Sequence, residues 1–112
     1  MPKYQIDVTE AAEQDLMEIA DYIAADNPSA TLKLANKIEK NILKLENYPF
    51  IGAIPKVRRL ARKGYRMLVV DDYLVFYVLL DDKRVEIRRI LSGKRDYKFL
   101  FSKFHSDRET DN

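Results

Sequence analysis

Hydrophobic and polar residues alternate at the start of the chain. Tyr4, Ile6 and Val8 fall on one side of residues 3–8, and Lys3, Gln5 and Asp7 on the other. This period of two predicts a short, half-buried strand. At Thr9 the period changes. Ala12, Leu16, Ile19, Ala20 and Ile23 recur at three- and four-residue steps, which predicts an amphipathic helix over 10–25. Thr9 suits its N-cap, and Glu10 suits the positive end of its dipole. Asn27-Pro28 is a second helix start, with Asn as cap and Pro at the first helical position. The helix it opens carries Leu34, Ile38, Ile42 and Leu45 and stops before Pro49. So short a joint folds the two helices into an antiparallel hairpin.

Beyond Pro49 the helical period is gone. Gly52 and Pro55 mark a loop, and residues 56–60 are expected to form a short strand. Residues 65–70, 73–80 and 84–91 are rich in β-branched and aromatic side chains and predict strands. Asp71-Asp72 and Asp81-Asp82-Lys83 supply the turns of an antiparallel meander. The fold class is therefore α+β: an N-terminal strand, an antiparallel helical hairpin, then a three- to four-stranded antiparallel sheet. One sheet face is expected to bury against the helices and the other to stay at least partly open. Residues 1–104 read as a single domain and the polar stretch 105–112 as a tail.

Composition narrows the possible chemistry. A chain of 112 residues suits one domain with a modest core, and 46% hydrophobic with 34% charged residues is an ordinary globular balance. The absence of cysteine excludes disulfides, thiolate catalysis and cysteine-based zinc sites. No stretch reaches the roughly 20 apolar residues of a membrane span. Met1-Pro2-Lys3-Tyr4 leads into no apolar run, so neither a signal peptide nor a membrane partner is expected, and a cytoplasmic location is.

The net charge of +2 conceals an asymmetry. Residues 1–30 hold Asp7, Glu10, Glu13, Asp15, Glu18, Asp21 and Asp26 against Lys3 alone. Residues 56–66 hold Lys56, Arg58, Arg59, Arg62, Lys63 and Arg66 and no acid, and a second basic stretch spans 83–98. Two such stretches on adjoining elements suggest an anion-binding face.

Catalytic motifs of the common kinds are missing. The three glycines are scattered, no serine nucleophile motif occurs, and neither a metal site nor a cofactor is expected. The one histidine, His105, falls in the tail. Glu86 reads as a cross-strand partner for an arginine. Arg58, Arg59, Arg66, Arg88, Arg89 and Arg95 are expected to converge on one sheet face and its rim, where their planar forks suit phosphate. In 84–91, Val85, Ile87 and Leu91 share a side with Arg89, and Arg84, Glu86 and Arg88 share the other. Arg89 thus breaks the apolar pattern: either a bulge turns it outward, or a buried carboxylate pairs with it. Cations alone can stabilise the anion formed when a ribose 2′-OH attacks its own phosphate, and a tyrosine or lysine can move the proton. Tyr65, Tyr73 and Tyr77 suit sheet packing. Tyr97, beside Arg95, is the candidate for chemistry or for stacking on a base, with Lys63 and Lys94 next.

The ordered set of segments resembles the RelE/ParE superfamily of toxins from Tyr4 to about Leu100. It comprises the helix Glu13 to Ala24, the Asn27-Pro28 joint, and Leu45-Glu46-Asn47-Tyr48-Pro49 with Gly52. It continues with Arg59-Leu60, Gly64-Tyr65-Arg66, Tyr73 to Tyr77, Val85 to Ile90 and Gly93-Lys94-Arg95-Asp96. The resemblance implies a growth-arresting toxin of a type II toxin–antitoxin module, bound by a cognate antitoxin in a hetero-oligomer. RelE-like members imply metal-free cleavage of mRNA on the ribosome; ParE-like members imply inhibition of DNA gyrase without catalysis. The long hairpin looks ParE-like, and the basic segments around Gly64 and Gly93 look RelE-like. By position Arg59, Arg66 and Arg95 match basic residues of RelE-type nucleases, and with Tyr97 they make the implied catalytic set. Lys56, Arg58, Arg62, Lys63, Arg88 and Lys94 would then hold the nucleic acid. Val57 stands where a further base is expected, and Phe101 falls near the place of a catalytic tyrosine. Ribosome-dependent endoribonuclease is the leading expectation, gyrase inhibition the alternative, and a non-toxic RNA-binding protein a third.

Overall fold

The computed structural model describes residues 3–94. Strand β1 (Gln5–Val8) opens the chain, followed by helices α1 (Glu10–Ala24) and α2 (Pro28–Leu43) and a 3-10 turn over Lys44–Glu46. A short helix α3 (Arg58–Arg62) precedes strands β2 (Arg66–Val70), β3 (Tyr73–Leu80) and β4 (Arg84–Ser92). Both helix starts are built as their sequences require. The Thr9 hydroxyl accepts from Ala12 N at 3.2 Å and the Asn27 side chain from Ala30 N at 3.3 Å, each pairing one of the N–H groups a helix start leaves open.

The four strands among the described residues lie in the order β1-β4-β3-β2. β2, β3 and β4 form the expected antiparallel meander, whereas β1 runs parallel to β4, Gln5 opposite Arg84 and Val8 opposite Ile87. The first strand therefore joins the last and makes the sheet mixed, a pairing that alternation within either strand does not encode. Asp71 and Lys83 take positive φ at the two hairpin turns.

Between sheet and helical hairpin lies the main core, with Ala12, Ile19, Ile38, Leu45, Val75, Tyr77, Val85 and Ile87. Val8, placed on the apolar side by its sequence, is instead 41% exposed at the outer edge. A second cluster, Leu60, Tyr65, Phe76, Val78 and Leu91, covers part of the opposite face. Its roof corrects the expected strand at 56–60: the segment turns into α3, with Leu60 3% exposed. Apolar residues there fall at Val57 and Leu60, three apart, which fits one helical turn and not alternation. Gly64 ends the turn at φ +83, with Tyr65 N bonded to Leu60 O and Gly64 N to Ala61 O. This is the paired-bond C-terminal cap that favours glycine, and Tyr65 packs back on Leu60 as the motif requires.

Arg89 sits beside a bulge, yet it is not turned outward: it pairs with a buried carboxylate. Phe76 pairs with Arg89 but Tyr77 with Ile87, so Arg88 is the extra residue of a bulge. The bulge moves the later residues by one: Val85, Ile87 and Ile90 serve the main core, while Leu91, expected beside them, joins the second cluster. Arg89 meets Asp15, which is 6% exposed, through Nε at 2.8 Å and Nη2 at 2.7 Å. The same carboxylate accepts from Ile90 N at 2.9 Å. β1 covers β4 only as far as Ile87, so α1 closes the edge that β1 leaves bare.

Candidate functional site

Among the described residues, the bases of the expected site lie on α3 and its flanks, on β2, on β4 and at Lys94 just beyond it, and they do not converge. On α3 and its flanks, Lys56, Arg58 and Arg62 are exposed, while Arg59 and Lys63 are half-buried. Residues on one helical turn diverge, so these five cannot all aim at one point.

Arg66 shares its side of β2 with Leu68 and Val70, which pack in the main core. Its Nη1 donates to Phe50 O at 3.2 Å and to Gly52 O at 2.9 Å. The guanidinium also lies over the Phe50 ring, 5.1 Å from its centre. Next to it, the buried Tyr77 hydroxyl donates to Pro49 O at 2.8 Å and accepts from Gly52 N at 2.9 Å. Burial pushes the Tyr77 phenol up from its ordinary pKa, against the opposing pull of the Gly52 N–H and the Arg66 charge. Arg66 and Tyr77 together fix the loop of residues 49–52.

Arg88 looks the other way. Its Nε donates to Glu86 at 2.8 Å, and Nη1 lies 3.4 Å from the Tyr65 hydroxyl, with the guanidinium 5.6 Å from that ring's centre. Tyr65 belongs to the second cluster, so Arg66 and Arg88 stand on opposite faces of the sheet. Burial draws the Arg88 pKa down, but the Tyr65 and Glu86 contacts outweigh it and leave the guanidinium above its usual value. Glu86 does pair with an arginine, but the partner is two residues along the same strand and not across strands as its sequence position suggests. Lys94 reaches Asp72 at 3.6 Å on the surface, a pair of little energetic weight. Arg95 and Tyr97, with Phe101 and His105, lie outside the described residues.

Phe50 and Tyr77 are the participants that the sequence did not single out. Tyr77 had one legible signal: a tyrosine in a core strand needs a partner for its hydroxyl. Among the described residues no group of His, Cys, Asp and Glu is arranged to hold a metal ion. Likewise, no described helix is long and apolar enough to cross a membrane.

The family model for the ParE toxin of the type II toxin–antitoxin system parDE matches residues 6–97. Among solved structures, the chain is similar to the chromosomal ParDE toxin–antitoxin system from P. aeruginosa. The TM-score is 0.70 at 21% identity, covering 82% of this chain and 98% of that one. It is also similar to the toxin–antitoxin complex RelBE2 from Mycobacterium tuberculosis, with a TM-score of 0.52 at 24% identity, over 80% of this chain and 98% of that one. No curated protein matches it significantly. At these identities the structural likeness speaks for the fold alone.

Proposed function

The chain belongs to the family of ParE toxins of type II toxin–antitoxin systems, and from that membership we propose that it arrests growth by gripping a protein target, DNA gyrase, and not by cutting RNA. The observation that carries this reading is Arg66. A nuclease without metal or histidine needs several cations aimed at one phosphate. Arg66 is instead committed to the carbonyls of Phe50 and Gly52, and Arg88 to Glu86 on the far face of the sheet. What the sheet edge presents around Arg66 is an ordered apolar loop, a surface suited to protein contact.

A cognate antitoxin is the second partner in this reading, as in the ParDE and RelBE2 assemblies that the fold resembles. The cleft between β1 and α2, lined by Ile6, Val8, Leu16, Ile38 and Ile42, suits an apolar helix or strand of such a partner. The single domain of residues 1–104 remains our proposed unit of folding and action.

Two assays run on one preparation test the proposal. Purified chain should inhibit DNA supercoiling by gyrase and leave ribosome-bound mRNA intact. Cleaved mRNA, slowed by Tyr97→Phe, with supercoiling unaffected, would restore the nuclease and the catalytic set Arg59, Arg66, Arg95 and Tyr97.

A further inference from the structure

Residues 48–54 carry four large apolar side chains into solvent: Tyr48 at 64% exposure, Phe50 at 61%, Ile51 at 50% and Ile54 at 61%. Val69, 63% exposed, stands on the neighbouring edge strand β2. Ala53 and Met67 form an antiparallel bridge, which ties the loop to β2 two residues from Val69. An apolar cluster of this kind costs solubility in a small monomer and marks an interaction surface.

The loop is also held rigidly from beneath. Tyr77 bonds Pro49 O and Gly52 N, Arg66 bonds Phe50 O and Gly52 O, and the Ala53–Met67 bridge closes the far end. A Cβ at Gly52 would stand 2.5 Å from the Tyr77 hydroxyl, so the backbone rests directly on the ring. An apolar loop ordered before binding loses little entropy when a partner covers it.

The surroundings state the partner's charge. Immediately downstream, residues 56–66 hold six bases and no acid, and Lys56, Arg58 and Arg62 are exposed. We propose that the loop 48–54, with Val69, is the surface that engages the target protein, inserting Phe50 and Ile54 into an apolar recess rimmed by carboxylates. This rests on the reading that the chain acts on a protein by contact. The loop sits at the β2 edge of the sheet, whereas the cleft suited to an antitoxin adjoins β1 at the opposite edge.

The test uses the double variant Phe50→Ala/Ile54→Ala, with Ile54→Glu as an independent second variant. Leu32→Ala, an equally exposed position on α2, is the control. Each is compared with the wild type for thermal unfolding, growth arrest on induction, co-purification with the product of the adjacent reading frame, and binding to purified gyrase. Both loop variants should fold, hold the antitoxin as tightly as wild type, and bind gyrase about 30-fold or more weakly with loss of growth arrest. Leu32→Ala should change these by less than about threefold. Lys56→Glu with Arg58→Glu should slow association about tenfold at low salt and flatten its salt dependence. Full growth arrest by a folded loop variant overturns the proposal. So does loss of the antitoxin complex, which would make the loop the antitoxin's site. An unchanged salt dependence removes the carboxylate rim. If the wild type does not bind gyrase yet the loop variants lose growth arrest, the gyrase reading falls and the loop stands.

Discussion

At Asp15 one buried carboxylate serves three donors, Arg89 Nε, Arg89 Nη2 and the Ile90 N–H. Removing it would strand a cation and a strand-edge amide out of water. Asp15→Ala should therefore lower the unfolding free energy by about 3–5 kcal/mol, measured by urea denaturation, far beyond the cost of Glu18→Ala on the exposed side of α1. A loss below about 1 kcal/mol would mean that water replaces the carboxylate. Tyr77→Phe deletes only the hydroxyl that bridges Pro49 and Gly52 and should cost about 1–3 kcal/mol. Its pH dependence has a definite sign. The phenol is raised above its ordinary value in the folded chain. The unfolded state therefore ionises first, and stability is lost as the solution rises past about pH 10. The stability gap between wild type and Tyr77→Phe should accordingly narrow above that pH. A gap that widens there would show that Tyr77 ionises more readily in the folded protein. Asp15 was partly legible in the sequence: it falls on the apolar stripe of Ala12 and Ile19, just as Arg89 falls within an apolar strand. Nothing in either local pattern joins the two, because the contact spans 74 residues.

Among the elements, those with a sustained period were legible and those fixed by contacts elsewhere were not. The helical hairpin and the three-strand meander follow from spacing and turn residues. α3 is hidden in the sequence because five residues are too few to establish a period, and its real signal is Gly64, whose left-handed conformation ends it. Gly64→Ala has open space for the new methyl but the wrong backbone, φ +83. It should cost about 1–2 kcal/mol, read from the denaturation midpoint. A neutral outcome would show that the turn relaxes into another conformation. The candidate site was less legible than the fold for the same reason. Basic residues can be counted along a chain, but the side of the sheet each one faces depends on pairing partners and on a bulge. Arg66 and Arg88 look alike in sequence and stand on opposite faces.

The whole molecule separates its charges, with acids on α1 and bases on α3 and the segments around it, and apolar side chains at the β2 edge. If residues 1–104 are the working unit, a chain truncated after Phe104 should melt within a degree or two of the full chain and arrest growth as strongly. Loss of either would assign a role to residues 105–112. The parallel pairing of β1 with β4 carries a different consequence, one of timing. Thr9 Oγ1 donates to Arg88 O across 79 residues of chain, and Gln5 lies opposite Arg84. During synthesis the first strand must wait for the last. At about 5–20 residues per second, several seconds pass in which the emerging chain lacks β4, the strand between β1 and β3. With Asp15 unpaired until Arg89 arrives, α1 has no strand edge to close. A chain that stops before Ser92 cannot complete the sheet, so the cell meets the folded toxin only after β4 has been made.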